Sequence, residues 1–333
     1  MRSRSFIFLT LIALLSACGP VAETDVPPTP APTEAPLLLP TPTTAPATPL
    51  AILVLPEDMD AETSNLYQTT VYELAQASGM RFQVRNSLTS ADLEPGLKVV
   101  IALLTDPGLS ELAPAATDVQ FLAIGIPGIE AGGNISILGS GSQAEVVGFL
   151  AGYTAAMLTD DYRIGMLMPK DSNEAIRMLN SFNNGRTYFC GLCRPYFYLP
   201  WNFPQYLEIP PEEDVNNYDA FADILILQYK VGTLLIHEGI HTQDLVDYIG
   251  TTGVYMIGTV TPEQRPAGWV MTIQPDTIQA IQIAWSQLLV GQGGLTVQSP
   301  LGLSDIDPGI LTPGKQRLVQ QVLDELQAGL IAP

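Results

Sequence analysis

The sequence predicts an α/β protein made of two doubly wound parallel-sheet lobes joined by hinge strands. Three observations predict it. Short apolar segments alternate with helical patterns through most of the chain. The first of them, Ala51-Ile52-Leu53-Val54-Leu55, is continuously apolar, as in a strand buried on both faces of a parallel sheet. Halfway along, a helix, the polar break Asp160-Asp161 and the apolar strand Ile164 to Met168 begin the alternation again.

The middle helix organises the rest. Ser142 is a good N-cap with Glu145 three residues on, the spacing of a capping box. Gly148, Ala151, Gly152 and Ala155 then form a stripe of small residues, beside a bulkier face of Val147, Leu150, Thr154 and Met157. A helix of this kind can lie unusually close to a sheet or a second helix. Its apolar run is too short for a membrane span and opens with a carboxylate, so a buried core helix is expected.

The chain begins with a sorting signal. Arg2 and Arg4 precede the apolar run Phe6 to Leu15, and Leu15-Ser16-Ala17-Cys18 matches the bacterial lipobox. Residues 1–17 are expected to be removed and Cys18 to carry lipid on the extracytoplasmic face of a membrane. Residues 18–49 are then a tether rich in Pro, Thr and Ala, tending to polyproline II and reaching on the order of 90 Å if extended.

From residue 50 the pattern predicts a strand at 51–55, a helix over Ala61 to Ser78, and strands at Arg81 to Arg85, Val99 to Leu103, Val119 to Ile124 and Ile135 to Leu138. A short helix near Leu109 to Ala116 separates two of them. After Met168 come helices at Asn173 to Asn184, Tyr218 to Lys230 and Gln243 to Ile249, with strands at Leu234 to Glu238 and Val254 to Ile257. The chain returns through Trp269 to Ile273 into helices at Thr277 to Leu289 and Lys315 to Ala328. Lobe one is expected at about 50–160 plus 274–333, lobe two at 161–260, and the hinge return at 261–273. Ligands of such sheets bind beyond the carboxyl ends of the strands. That rule nominates Glu57 and Asp58, Thr105 and Asp106, and the Gly125-Ile126-Pro127 turn in lobe one; in lobe two Lys170 follows a strand, and Glu238 to Thr242 lies at a strand end with His241 as the candidate contact.

With 34 acidic against 14 basic residues, the chain carries a formal charge of −20. That excludes a nucleic-acid partner, which needs a basic footprint; it is read first as solubility, and second as a field that attracts a cationic solute. His237-Glu238-Gly239-Ile240-His241 matches the zinc-protease pattern, but an apolar strand runs into it and Thr242 reads as the next N-cap, so no metal site is expected. Cys190 and Cys193 remain once Cys18 carries lipid, and in an oxidising compartment a local disulfide is expected. The aromatics from Tyr188 to Tyr206 read first as a satellite core; the other reading is a stacking wall, with Trp201 its best member. No nucleophile with a base, Walker loop or dinucleotide fingerprint stands out, so neither catalysis nor a cofactor is expected.

The motifs Gln143-x-Glu145, Gly148-Phe149-Leu150-Ala151-Gly152-x-x-Ala155-Ala156 and Arg163-Ile164-Gly165-Met166-Leu167 resemble the middle of the basic membrane protein family. Thr252-Gly253-Val254-Tyr255-Met256-Ile257-Gly258 and the chain end from Leu323 to Pro333 extend the resemblance over roughly residues 50 to 333. That family consists of lipid-anchored solute-binding proteins of ABC transporters, many of which bind nucleosides. The resemblance therefore implies a periplasmic-binding-protein type 1 fold, a small-molecule ligand, closure about a hinge and an ABC permease as partner. An aspartate-serine-phenylalanine-asparagine stretch of nucleoside-binding relatives corresponds to Glu62-Thr63-Ser64-Asn65, with Asn65 kept and Tyr67 in place of the aromatic. Their glycine-rich turn in lobe two becomes Gly239-Ile240-His241-Thr242. Their ribose-binding aspartate is absent from Gly258-Thr259-Val260, which leaves Thr259 at that strand end and argues against a nucleoside. The alternative is a sensor or structural envelope lipoprotein built on the same fold.

Overall fold

The computed structural model describes residues 47–139, 143–193 and 201–333. The signal, Cys18 and the tether as far as residue 46 lie outside them. The chain begins with β1 (Leu50–Val54), α1 (Ala61–Ala77), β2 (Arg81–Arg85), β3 (Leu97–Leu103), α2 (Leu109–Ala115), β4 (Gln120–Ile124) and β5 (Ile135–Gly139). Next come α3 (Ala144–Leu158), β6 (Ile164–Pro169), α4 (Asn173–Cys190), β7 (Gln205–Ile209), α5 (Tyr218–Asp223), β8 (Thr233–Ile236), α6 (Gln243–Gly250), β9 (Tyr255–Gly258) and β10 (Trp269–Pro275). It closes with α7 (Thr277–Leu289), β11 (Thr296–Gln298), β12 (Leu301–Ser304) and α8 (Pro313–Gln327).

These strands form two sheets, ordered β11-β5-β4-β3-β1-β2 and β12-β10-β9-β8-β6-β7. All pairings in the first are parallel, and in the second only the edge strand β12 runs antiparallel, to β10. Each sheet therefore reverses its winding once, between β1 and β3 in lobe one and between β6 and β8 in lobe two. Crevices open at such points beyond the carboxyl ends of the strands.

Burial explains the strands. All five residues of β1 and of β4 are buried, as expected where helices cover both faces. Val71 and Ala75 of α1 and Ile281, Ala284, Trp285 and Leu288 of α7 fill one side of the first sheet, and α2 covers the other. The helix starts are chemically marked. Asp60, Ser172, Thr242 and Asp276 each accept a hydrogen bond from the backbone amide three residues on, at 2.8, 3.1, 3.2 and 2.9 Å. Those bonds to Thr63 hold the Asp60 carboxyl below the usual carboxylate range.

The small-residue stripe of α3 meets α4 backbone to backbone. A Cβ added at Gly148 would lie 2.1 Å from the carbonyl oxygen of Met178, and one at Gly152 would lie 1.9 Å from that of Phe182. The fit is reciprocal, because a Cβ at Gly185 of α4 would lie 1.8 Å from the carbonyl oxygen of Phe149. Every residue of α3 from Val147 to Ala156 is buried, enclosed by the second sheet, α4 and α8.

Several expected boundaries shift. Because α3 and α8 pack on the second sheet, lobe two starts near residue 143 instead of 161, and it includes 301–327. The return expected over 261–273 is instead the strand β10 of lobe two, and the chain crosses after Pro275. Three short crossings join the lobes: Gly139 to Ala144, Pro275 to Thr277, and Gln298 to Leu301. The N-cap of α3 is Gln143, without a side-chain cap bond; Ser142 lies outside the described residues, and Glu145 pairs with Arg177 at 2.8 Å. Helix α4 runs six residues past Asn184, so Tyr188 and Phe189 are helical, and β7 follows within the stretch read as an aromatic insertion.

Candidate functional site: the cleft between the lobes

The carboxyl ends of both sheets border one cleft, and Gly139, Pro275 and Ser299 lie at its floor. On the lobe-one side a cavity of about 480 Å³ is walled by Met59, Tyr67, Leu104, Ile124, Ile126 and Ile129, with Thr63 and Thr277 as polar points. On the lobe-two side a cavity of about 160 Å³ is lined by Gln143, Glu174, Glu238 and Thr259 among Val147, Met178, Ile273 and Leu301. Gly139, Pro275 and Ser299, one from each crossing, line both.

Local sequence sets these positions. Glu174 lies in the first turn of α4, just after the Ser172 cap, and Met178 follows one turn later on the same face. The end of β8 turns sharply, His237 capping a 3-10 turn over Glu238–Ile240 before Thr242 starts α6. Thr259 follows β9 directly, beyond Gly258. A Cβ at Gly258 would lie 2.2 Å from the indole of Trp269, so only glycine lets that buried ring lie across the strand.

The hydrogen bonds at the floor are dense. The Gln143 side-chain amide donates to the carbonyl of Ser299 at 2.6 Å, which ties the first crossing to the third. The amide of Asp276 donates to the carbonyl of Pro300 at 2.7 Å, which ties the second to the third. Gln327 at the end of α8 grips Leu301 from both sides, accepting from its N–H at 3.1 Å and donating to its carbonyl at 3.2 Å.

The two histidines differ in setting and lie outside any shared helix, so the protease-like spacing has no helical face to present. His237 is 4% exposed, and its Nδ1 accepts from the amide of Gly239 at 2.9 Å. That bond places the ring proton on Nε2, which has no partner among the described residues. Burial lowers the basicity of His237, while the carboxylates of Glu238 and Glu174 act in the opposite direction. His241 rests edge-on against Trp269 with centroids 5.9 Å apart, and burial lowers its basicity too. Burial raises the Tyr67 phenol above its ordinary value, opposed by a hydrogen bond with Thr277.

Of the residues nominated from sequence, Tyr67, Ile126 and Thr259 line the cleft. The Thr259 Oγ1 is buried there with no partner among the described residues. Asp58 and Asn65 are exposed and line neither cavity. Asp106 is spent locally, its carboxylate accepting from the amides of Gly108 and Leu109 at 2.9 Å each at the start of α2. Lys170 is exposed on the rim, its backbone amide bonded to the carbonyl of Ile209, and His241 also lies off the cavity lining. Trp201 is at the wrong end of lobe two. It precedes β7 and stacks edge-on against Tyr229, which precedes β8, so it packs at the amino ends of the strands.

Cys190 and Cys193 form a disulfide with Cα atoms 5.1 Å apart at the end of α4, also remote from the cleft. The sequence reading passed over Gln143, Glu174, Met178 and Ser299. The strand-end rule could have found Glu174, the second helical residue beyond the Ser172 cap.

Among the described residues no helix is long and apolar enough to cross a membrane. No family model and no curated protein matches the sequence. Solved structures match it in fold. An ABC transporter system solute-binding protein from Conexibacter woesei superposes with a TM-score of 0.54 at 16% identity, over 86% of this chain and 98% of its own. A transcriptional activator of the comK gene from Bacillus halodurans superposes with a TM-score of 0.52 at 11% identity, over 83% of this chain and 96% of its own. At such identities the likeness establishes architecture. The chain has the two-lobed α/β fold of periplasmic binding proteins, a fold that transport proteins and regulators share.

Proposed function

We propose that this chain is a solute-binding component of an ABC transporter, related to the basic membrane proteins, held by lipid at Cys18 on the extracytoplasmic side. One observation carries the reading: two sheets of like winding present their carboxyl ends to a single cleft, with a cavity on each side of three short crossings. A solute held by both cavities would bridge the lobes and favour the closed arrangement, the form a permease can distinguish from the empty one. The cleft offers apolar walls and a few convergent polar groups, the usual make-up of a small-molecule site. Thr259 in place of the expected aspartate argues against a ribose, and so against a nucleoside.

The fold of the comK activator favours a second reading, a lipid-tethered sensor that binds a solute without passing it to a permease. Native mass spectrometry before and after denaturation and refolding tests binding in either role. A stoichiometric small molecule lost on denaturation supports a binding protein. An empty protein whose melting temperature no metabolite panel shifts would refute both, and would favour a structural envelope lipoprotein. Uptake of the identified solute by cells with and without the chain then separates transporter from sensor.

A further inference from the structure

Leu104 follows β3 at the switch point of lobe one, and its backbone is strained. Its φ is +59°, a left-handed conformation that a bulky side chain adopts only at a cost. Among the described residues it is the one aliphatic side chain so held. The turn is fixed from two sides. The Leu104 amide donates to the carbonyl of Ile124 at 2.8 Å, and the amide of Thr105 donates to the carbonyl of Leu103 at 2.6 Å, closing a three-residue turn about Leu104. Three-residue turns with positive φ at the centre are rare and strained.

The next strand shows how little strain such a bend requires. There β4 ends on Gly125 at φ +64°, a conformation open to glycine without penalty. Gly125 also makes room for its neighbour, because a Cβ there would stand 2.9 Å from Leu104 Cδ2. Leu104 is nevertheless 57% exposed, so packing inside the fold does not account for the leucine. Its side chain lines the cavity of lobe one. Strain kept at a binding crevice, where a glycine would relieve it, points to a contact with something that enters the crevice.

The rest of the wall indicates what enters. Met59, Tyr67, Ile126 and Ile129 line the same cavity, and among the described residues no Asp, Glu, Lys, Arg or His does. Its polar side chains are largely engaged: the Thr63 hydroxyl bonds to the Asp60 carboxylate, and the Tyr67 phenol bonds with Thr277. A sugar would bring several hydroxyls to a surface with few free partners, and each one desolvated without a partner costs affinity. An apolar group would instead cover Leu104 and the half-buried Ile126 and Ile129, removing apolar surface from water.

We infer that Leu104 is a specificity-determining residue of the cleft, and that the solute presents an apolar body, aryl or branched alkyl, to the wall it forms with Tyr67 and Ile126. This rests on the solute-binding reading and narrows it.

The test uses the full chain and the variants Leu104→Gly and Leu104→Asn. Glycine removes the side chain and the strain together. Asparagine, which tolerates positive φ, keeps the turn and replaces the apolar surface by an amide. Probes with phenylethyl, isopentyl and ethyl bodies, each as amine, alcohol and carboxylate, are read by calorimetry and thermal shift beside glucose, ribose and adenosine. For a given head group the phenylethyl or isopentyl body is expected to bind at least about tenfold tighter than the ethyl body, and the sugars weakest. Both variants should lose about tenfold in affinity for the larger bodies. Leu104→Gly should melt at or above the temperature of the parent, since it sheds strain and little packing.

A sugar or adenosine bound more tightly than the apolar probes, or ethyl bodies bound as tightly as the larger ones, would overturn the apolar assignment and leave the solute-binding reading intact. Larger bodies bound equally well by both variants would overturn the role of Leu104. A Leu104→Gly protein that melts well below the parent at unchanged affinity would make the leucine a packing residue. Should no probe bind, the assignment fails; should native mass spectrometry also find no retained solute, the solute-binding reading fails with it.

Discussion

Among the described glycines the closest backbone approaches lie at the crossing of α3 and α4, and they can be tested with one methyl group. In Gly152→Ala the new carbon would stand 1.9 Å from the carbonyl oxygen of Phe182, where ordinary contact starts at 3.4 Å. The helices must part by roughly 1.5 Å, because the obstacle is backbone and no rotamer change relieves it. A gap of 0.5–1 Å already forfeits about a quarter to a half of each contact's dispersion energy, so the loss spreads along the interface. Overpacking of this kind costs about 1–3 kcal/mol and sometimes more, against about 1 kcal/mol gained from alanine's helix propensity.

A backbone contact this short puts the cost at the upper end, about 3 kcal/mol, so a net loss of about 2 kcal/mol is expected, a large part of the ~5–15 kcal/mol of a typical domain. Gly314, in the first turn of α8, is the matched control, since a Cβ there meets nothing within 4 Å. Gly314→Ala should stabilise by about 0.4–1 kcal/mol. Urea unfolding of both variants is the assay. A Gly152→Ala midpoint at or above that of the parent protein would refute the close approach of the two helices.

Other perturbations address separate parts of the fold. Burial lowers the basicity of His237 and His241, so the unfolded chain takes up their protons first, and they cost stability as pH falls below the ordinary imidazole value of 6.5. The double variant His237→Gln/His241→Gln should therefore lose less stability than the parent between about pH 7 and pH 5, read as urea midpoints; equal slopes would contradict the buried neutral rings. Asp305 accepts hydrogen bonds from Thr261 and Thr272 at 2.9 and 2.8 Å, and Thr272 is fully buried. Asp305→Ala should cost about 2 kcal/mol by leaving the proton of that hydroxyl, which itself accepts from Trp269 Nε1, without an acceptor, and Asp305→Asn less, in thermal melts. Reduction of Cys190–Cys193 opens a very small loop and should cost about 2 kcal/mol or less. It should leave solute affinity unchanged, because the bridge lies at the far end of α4 from the cleft.

The alternation of elements was legible because strands buried on both faces leave uninterrupted apolar runs, and their helices start at short polar caps. Arg81–Arg85 and Thr277–Leu289 fall where the pattern places them. What the pattern lacked was partnership. The small-residue stripe of α3 announced a close approach, yet the surface it approaches is Met178 and Phe182 of a helix that begins fifteen residues after α3 ends. Helix α3 follows β5 in sequence, and the order alone suggests that it packs on β5's sheet. The crossing at 139–144 sends it to the other lobe instead. The edge strands β11 and β12 escaped notice for a related reason, being three and four residues long with little of either buried. Such strands are specified by the neighbour they extend, more than by their own composition.

The site was legible at the level of strand ends and illegible at the level of side chains. The rule that ligands gather beyond carboxyl ends pointed to the right edge of both sheets, but a strand end supplies several polar residues and only some turn inward. Asp106 has the right place and the wrong duty: its carboxylate is consumed by two amides of the helix it starts. Glu174 occupies the equivalent place after β6, but there Ser172 takes the capping role, and Glu174 lines the cavity. In each lobe the residue that holds the helix start is thereby withdrawn from the cleft. Exchanging these roles requires no change of fold, so the same two sheets can turn different polar groups toward the cleft.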